Sequence, residues 1–404
     1  MKIVLLFCAP LPITFAVKLN TDFIIKNKFH LEYWNMSKIF FSKKELENYY
    51  AGNSNFRHQY NSEVFFENKK EFIDRLKELK KNEKNFIFWC WDFNNYNDFW
   101  IRYLFKKYDI NYFVGPKRTP FKNFLIKNKK FKRYTSERIL KAFKKKFDFE
   151  YIYKNIFLFL FKKTNLYKHP IFILGSGKLG QNIYKNFFPR SEFLEIPSFD
   201  VDWTFNNRET KKYCVYVDDA IDFGKNKKFD QRENSFFSCN DIDSFYSNLR
   251  KFFDKIELIY NTKVVIAASG KFFHSDLEKF GNRKIFYNET NKLINNSNIV
   301  IGHESSGLWQ AVISKKKMIL LDDPSFTEIK KRAIKNMSIF LDLKVFDLNT
   351  ISKKNIIDYF NYYNKNYDNL IYQYFSTNLK LDEFKFILVN KLNKIMNRKY
   401  ETDK

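Results

Sequence analysis

The stretch from residue 293 to 323, LINNSNIVIGHESSGLWQAVISKKKMILLDD, narrows the fold more than any other. Asn298 to Ile301 is a short β-branched apolar run, the signature of a buried strand. Gly302 and His303 turn the chain. Ser305 or Ser306 is placed to cap a following helix, since a hydroxyl there satisfies an orphan backbone N–H. Leu308, Ala311 and Val312 give that helix an apolar face, and MILLDD is a second buried strand ending in carboxylates. The N–H groups at such a helix start favour an anion, typically a phosphate.

The same alternation runs through the first 120 residues. IVLLFCAP, FHLEYW, NFIFWCW and INYFVGP read as strands. Helical patterns fall at residues 13–26, 43–51, 66–81 and 96–107. Strands alternating with helices imply a parallel sheet covered on both faces. Ligands of such sheets sit beyond the carboxyl ends of the strands. That puts Pro10–Ile13, Trp91–Asn95 and Gly115–Pro120 on the candidate cleft side, with Asp92 as an acceptor-side carboxylate. Later in the chain Asp241 can cap a helix through Tyr260, and KVVIAAS is a strand.

The chain has 404 residues, 45% of them apolar, enough for two domains and a sizeable core. Its net charge of +27 implies attraction to polyanions, although Lys, Asn, Ile, Phe and Tyr are also what an AT-rich genome overproduces. Residues 117 to 146 hold thirteen Lys or Arg and one acid, Glu137, with Phe, Leu and Ile interleaved. This is either a solvated helical face or a basic amphipathic surface for anionic lipid. No recognition-helix, zinc-finger or RNP pattern accompanies the charge, so nucleic acid is not the expected partner. Cys8, Cys90 and Cys214 lie in apolar runs and no C-x-x-C occurs, which points to buried thiols in a reducing cytoplasm. The scattered histidines offer no metal motif. Ile3 to Cys8 reads as a first strand in preference to a secretion signal, because Pro10 and Pro12 break the apolar run. No uncharged apolar stretch of about 18 residues is present.

Two further motifs carry chemistry. Gly175, Gly177 and Gly180 satisfy G-x-G-x-x-G after a strand, and Glu195 ends a second strand. That is the dinucleotide fingerprint in its usual context. SFDVDW and VYVDDAID place Asp200, Asp202, Asp218, Asp219 and Asp222 at strand ends, where a carboxylate can act as general base or bind hydroxyls. The alternative is turn or cap chemistry. Asp218 and then Asp200 are the leading candidates for a functional acid.

The run TKVVIAASGKFFHSDLEKFGNRKIFYNETNKLINNSNIVIGHESS, with IPSFDVDWTF and YCVYVDDAIDF before it, resembles bacterial surface-carbohydrate glycosyltransferases of the two-Rossmann (GT-B) type. The resemblance covers about residues 170 to 350. It implies two Rossmann-like α/β domains facing a cleft: 1–205 for the acceptor, with a basic insert at 117–167, and 206–350 for the nucleotide-sugar. Helices at 351–404 would pack back. It further implies transfer of a sugar from a nucleotide-sugar to a glycan or lipid-linked acceptor, in the cytoplasm or at the inner membrane face, with neither metal nor cofactor. Ser305, Ser306, His303, Glu304, Lys271 and Arg283 would bind the donor. Asp218 or Asp200 would deprotonate the acceptor, and Gly175, Gly177 and Asp92 would face it. Where the family's turn carries a His-Pro-Arg-like motif, this chain has Ser269, Gly270 and Lys271. Two other readings stay open: an NAD(P)-dependent sugar oxidoreductase or epimerase built on Gly175–Gly180, and a non-catalytic, membrane-associated assembly protein.

Overall fold

The computed structural model describes residues 1–8, 21–44, 46–47, 63–91, 99–117, 167–198, 201, 213–219, 221, 239–268, 274, 278–375 and 381–402. Asp92, Asp200, Lys271 and nearly all of the basic stretch 117–167 lie outside them. The chain divides into two compact units. One comprises Met1–Leu46, Phe56–Phe199 and Tyr372–Lys404; the other comprises Glu47–Asn55 and Asp200–Ile371.

The first unit is built on strands β1 (Lys2–Phe7), β2 (His30–Asn35), β3 (Glu63–Phe65), β4 (Phe86–Cys90), β5 (Tyr112–Lys117), β6 (Phe172–Gly175) and β7 (Glu192–Glu195). All pair in parallel, in the order β3-β2-β1-β4-β5-β6-β7. The period-2 pattern of β1 explains why both faces are covered. Ile3, Leu5 and Phe7 enter one core, with Ile24 of α1 (Thr21–Lys26) and Leu388, Val389 and Leu392 of α12 (Leu381–Thr402). Val4, Leu6 and Cys8 enter the opposite core, against Phe72, Leu76 and Leu79 of α3 (Lys69–Asn82) and Ile101, Leu104 and Phe105 of α4 (Phe99–Lys107). Asn68 caps α3 by accepting from the Glu71 amide at 3.0 Å. The short α2 (Ser37–Phe40) follows β2, and α5 (Gly177–Phe187) joins β6 to β7.

The second unit repeats the plan. Its strands are β8 (Tyr213–Val217), β9 (Lys263–Ala268), β10 (Ile285–Tyr287), β11 (Ile299–Gly302), β12 (Lys317–Asp322) and β13 (Val345–Asp347), parallel in the order β10-β9-β8-β11-β12-β13. Its crossovers are α6 (Ile242–Tyr260), α7 (Thr290–Asn296), α8 (Leu308–Ile313) and α9 (Glu328–Leu341), with α10 (Lys353–Asn361) and α11 (Asp368–Tyr374) after β13. Asp241 does cap α6, accepting from the Ser244 amide at 3.0 Å. Phe245, Leu249, Phe252, Phe253 and Ile256 of α6 then pack on Cys214, Tyr216, Ile299 and Ile301 of the sheet. All four cysteines are buried thiols, none in a disulfide.

The glycine fingerprint serves packing. A β-carbon on Gly175 would sit 2.8 Å from the Phe193 ring. Gly177 has φ +68°, and a β-carbon there would lie 2.5 Å from the Gln373 carbonyl and 2.7 Å from the Tyr374 Cα. The Ser176 hydroxyl donates to the Tyr374 carbonyl at 3.1 Å. Where a pyrophosphate or acceptor sugar was expected to approach Gly175 and Gly177, the chain's own ring and backbone fill the space. Gly177→Ala is therefore expected to lower the melting temperature, the left-handed backbone alone costing about 1–2 kcal/mol of stability. Gly177→Asn, which tolerates that conformation, should be nearly as harmful because the clash is with backbone. A thermal melt showing Asn tolerated would refute the close-approach explanation.

Candidate functional site

In the second sheet β8 leads leftward to β9 and β10, and the chain then returns to place β11 on the other side of β8. The strand order therefore reverses between β8 and β11. At such a switch point adjacent loops diverge and leave a crevice beyond the carboxyl ends. The residues that follow β8 are Asp218 and Asp219; those that follow β11 are His303, Glu304, Ser305, Ser306 and Gly307. Topology alone thus brings together Asp218, His303, Glu304, Ser305 and Ser306 of the residues that the sequence nominates.

Ser306 is exposed and Ser305 half-buried, so the serine turn faces outward. The details differ from the expected cap. Helix α8 starts at Leu308, with Gly307 in the cap position and no side-chain cap. Ser305 Oγ instead accepts from the Gly307 amide at 3.2 Å. The amides of Leu308, Trp309 and Gln310 donate inward to the carbonyls of Ser305, Ser306 and Gly307. The first-turn amides are therefore not the anion site. Among the described residues, the backbone N–H groups of Ser305 and Ser306 and the Ser306 hydroxyl have no protein partner. Gly307 lets the turn press onto the sheet: a β-carbon there would lie 2.9 Å from Val217 and 3.1 Å from Thr290. Beneath the turn, Gln310, Asn295 and Ser314 form a buried hydrogen-bonded triad that locks α8 to α7.

A buried ionic chain runs beside the serines. Lys330, in the first turn of α9, places Nζ 2.8 Å from Asp219 Oδ2 and 3.3 Å from Glu304 Oε1. Asp219 Oδ2 also accepts from the Glu304 amide at 3.3 Å. Burial alone would push the Asp219 carboxyl up, but the Lys330 charge and hydrogen bond hold it below the ordinary carboxylate range. Burial likewise opposes the charge on Lys330, and the two carboxylates overcome it and raise its pKa. The sequence reading missed Lys330. The signal was available: Lys330 lies on the stripe of Ile334, Met337 and Leu341 that α9 buries. A cation in a helix's first turn also works against the macrodipole unless anions face it.

Three candidates need correction. His303 is wholly buried, not a donor ligand. Its Nδ1 lies 2.8 Å from the Leu321 carbonyl and so donates; its Nε2, 3.0 Å from the Tyr216 hydroxyl, accepts. Asp218 is not an exposed base: its Oδ2 pairs with His274 Nε2 at 2.9 Å, both side chains buried. The His274 amide donates to the Tyr287 hydroxyl at 3.0 Å, which ties that histidine to β10 as well. Arg283 precedes β10 and so sits at the amino end of the sheet, away from the crest. There it binds Glu257 and Asp254, each at 2.6 Å, and packs over the Phe253 ring. Asp200, Lys271 and Asp92 fall outside the described residues.

Two parallel, helix-covered sheets define the class: an α/β fold of two Rossmann-like domains. Among solved structures, the wall teichoic acid polymerase TagF is similar over 99% of this chain and 90% of its own, at 13% identity and a TM-score of 0.54. MurG of Acinetobacter baumannii matches over 98% and 100%, at 11% identity and a TM-score of 0.43. A UDP-GlcNAc 2-epimerase from Neisseria meningitidis matches over 98% and 100%, at 11% identity and 0.45. At these identities the likeness is one of fold, and TagF carries it. No protein-family model matches the chain, and neither does any curated protein. No described helix is long and apolar enough to cross a membrane.

Burial, reinforced by the Lys330 charge, depresses the His303 pKa from 6.5 to about 4. The unfolded imidazole takes up a proton below about pH 6.5, while the folded one stays neutral down to about pH 4. The stability that neutral His303 confers is thus complete above that window and is lost as the pH falls through it. The loss is on the order of 3 kcal/mol. Denaturant unfolding measured across this range should show a slope that His303→Gln flattens by about one proton; an equal slope in the variant would contradict the assignment.

Proposed function

We propose that this chain is a metal-independent glycosyltransferase. It moves a sugar from a nucleotide-sugar donor to a glycan or lipid-linked acceptor in bacterial surface-polysaccharide synthesis. The observation that carries the reading is the placement of Glu304, Ser305 and Ser306 at the switch point of the second sheet, with the serine turn open to solvent. In this reading the amides of Ser305 and Ser306, with the Ser306 hydroxyl, hold a donor phosphate. Backbone N–H groups aimed at a phosphate oxygen are a recurrent way to bind it. Glu304 accepts hydrogen bonds from ribose or sugar hydroxyls. With Arg283 held at the opposite end and Lys330 neutralised, the cation for the diphosphate is Lys271, which follows β9 in the sequence. Deprotonation of the acceptor falls to Asp200, because the Asp218 carboxylate is committed to His274. The enzyme works in the cytoplasm, with the basic stretch 117–146 resting on the anionic inner face of the membrane.

The G-x-G-x-x-G alternative loses its support in the backbone of Gln373 and Tyr374 lying against Gly177. A thermal-shift screen of nucleoside mono- and diphosphates and sugar nucleotides tests the proposal. At 100-fold excess over Kd a ligand adds about 2.7 kcal/mol to stability, a melting rise of a few degrees. The correct nucleotide should give that rise and NADH none. The double variant Ser305→Leu, Ser306→Leu should melt normally without ligand and show no rise. A rise of wild-type size in that variant would remove the serine turn from the site.

A further inference from the structure

We infer that Lys330 is a positioning residue: through Asp219 it pins the Glu304 carboxylate so that Glu304 takes a vicinal diol while the serine amides take the phosphate. The inference rests on the donor site proposed above and goes further, since it assigns Lys330 and Asp219 the role of fixing Glu304.

The placement of Lys330 is costly. Its side chain is 4% exposed, at the start of a helix whose dipole disfavours a cation. Thr327 caps this turn, its hydroxyl accepting from the Lys330 amide at 3.4 Å, so the lysine's backbone is held as well. Its charge is consumed by Asp219 and Glu304 at 2.8 and 3.3 Å. An ammonium so engaged is not a phosphate ligand. What it does instead is fix geometry. Asp219 Oδ2 takes one hydrogen bond from Lys330 Nζ and one from the Glu304 amide, while Lys330 reaches the Glu304 side chain. Glu304 is therefore tied at both its main chain and its carboxylate. That carboxylate keeps 23% side-chain exposure and is the immediate neighbour of Ser305. A pinned anion at that position repels phosphate and accepts from hydroxyls. It thereby orients a nucleotide with its diol toward Glu304 and its phosphates toward Ser305 and Ser306.

Calorimetric titration of the full chain with CDP, GDP and UDP, their 2′,3′-dideoxy forms and inorganic pyrophosphate separates these roles. Wild type should prefer the ribo form of its nucleotide about tenfold or more, the range for hydrogen bonds to a charged group. Lys330→Met should reduce that preference to within about twofold while pyrophosphate affinity is unchanged, and Lys330→Arg should restore the preference. A Lys330→Met protein that keeps the preference, or that loses pyrophosphate affinity, overturns the inference. If Lys330→Met does not fold, Asp219→Asn gives the same reading. A ligand-free check is the double-mutant cycle of Lys330→Met with Glu304→Gln by denaturant unfolding. Non-additive losses are expected, and additive ones overturn the coupling whatever the ligand. Wild type that binds none of the nucleotides, with the cycle still coupled, would sink the proposed donor site and leave Lys330 as the residue that holds Glu304.

Discussion

Parallel pairing is the constraint on which the rest depends. Every paired strand in both sheets runs the same way, so each connection must cross a face, and helices cover both faces. Alternate residues of a strand such as β1 are then apolar on both sides, Ile3, Leu5 and Phe7 on one and Val4 and Leu6 on the other. Polar groups that must meet a ligand are then best placed at the strand ends. The carboxyl ends of β8 and β11 are where the order reverses, and Asp218, Asp219, His303, Glu304, Ser305 and Ser306 follow those two strands.

The charges at that crest are not explained by stability. A buried ion pair replaced by apolar groups of similar volume is often neutral or more stable, while loss of one partner costs about 3–5 kcal/mol. Lys330 could have been one more apolar member of its helix stripe. Its place beside Asp219 and Glu304 makes sense if a carboxylate must be held at a fixed place on the rim. His303 contributes by the opposite means: burial keeps it neutral, so it braces Tyr216 and the Leu321 carbonyl without adding charge.

The overall charge of +27 misleads about where function lies. The described crest of the second sheet carries the carboxylates of Asp218, Asp219, Glu304, Asp322 and Asp323, and its buried cation, Lys330, is paired with two of them. Arg283, the cation that looked placed for a phosphate, is absorbed by Glu257 and Asp254 at the far end. Net charge describes how a chain meets polyanions at long range; it does not locate a site.

The sequence by itself determined the elements. Short β-branched runs bounded by glycine and carboxylates became strands, and the Asp241-capped run through Tyr260 became a helix with both ends as read. Local periodicity and capping decide these, and both are visible in neighbouring residues. The serine turn was legible too, though not the inward-turned amides of Leu308, Trp309 and Gln310, because a one-residue shift of the helix start to Leu308 leaves no mark in the pattern. Only the tertiary structure decided which residues meet. Lys330 finds Asp219 across 111 residues, and His274 finds Asp218 across 56. Gly177 needs its hydrogen because Gln373 and Tyr374 come back to it. Those encounters depend on strand order, which crossovers set and no local pattern records. That is why the fold was readable in advance, while the partners of its charged groups were not.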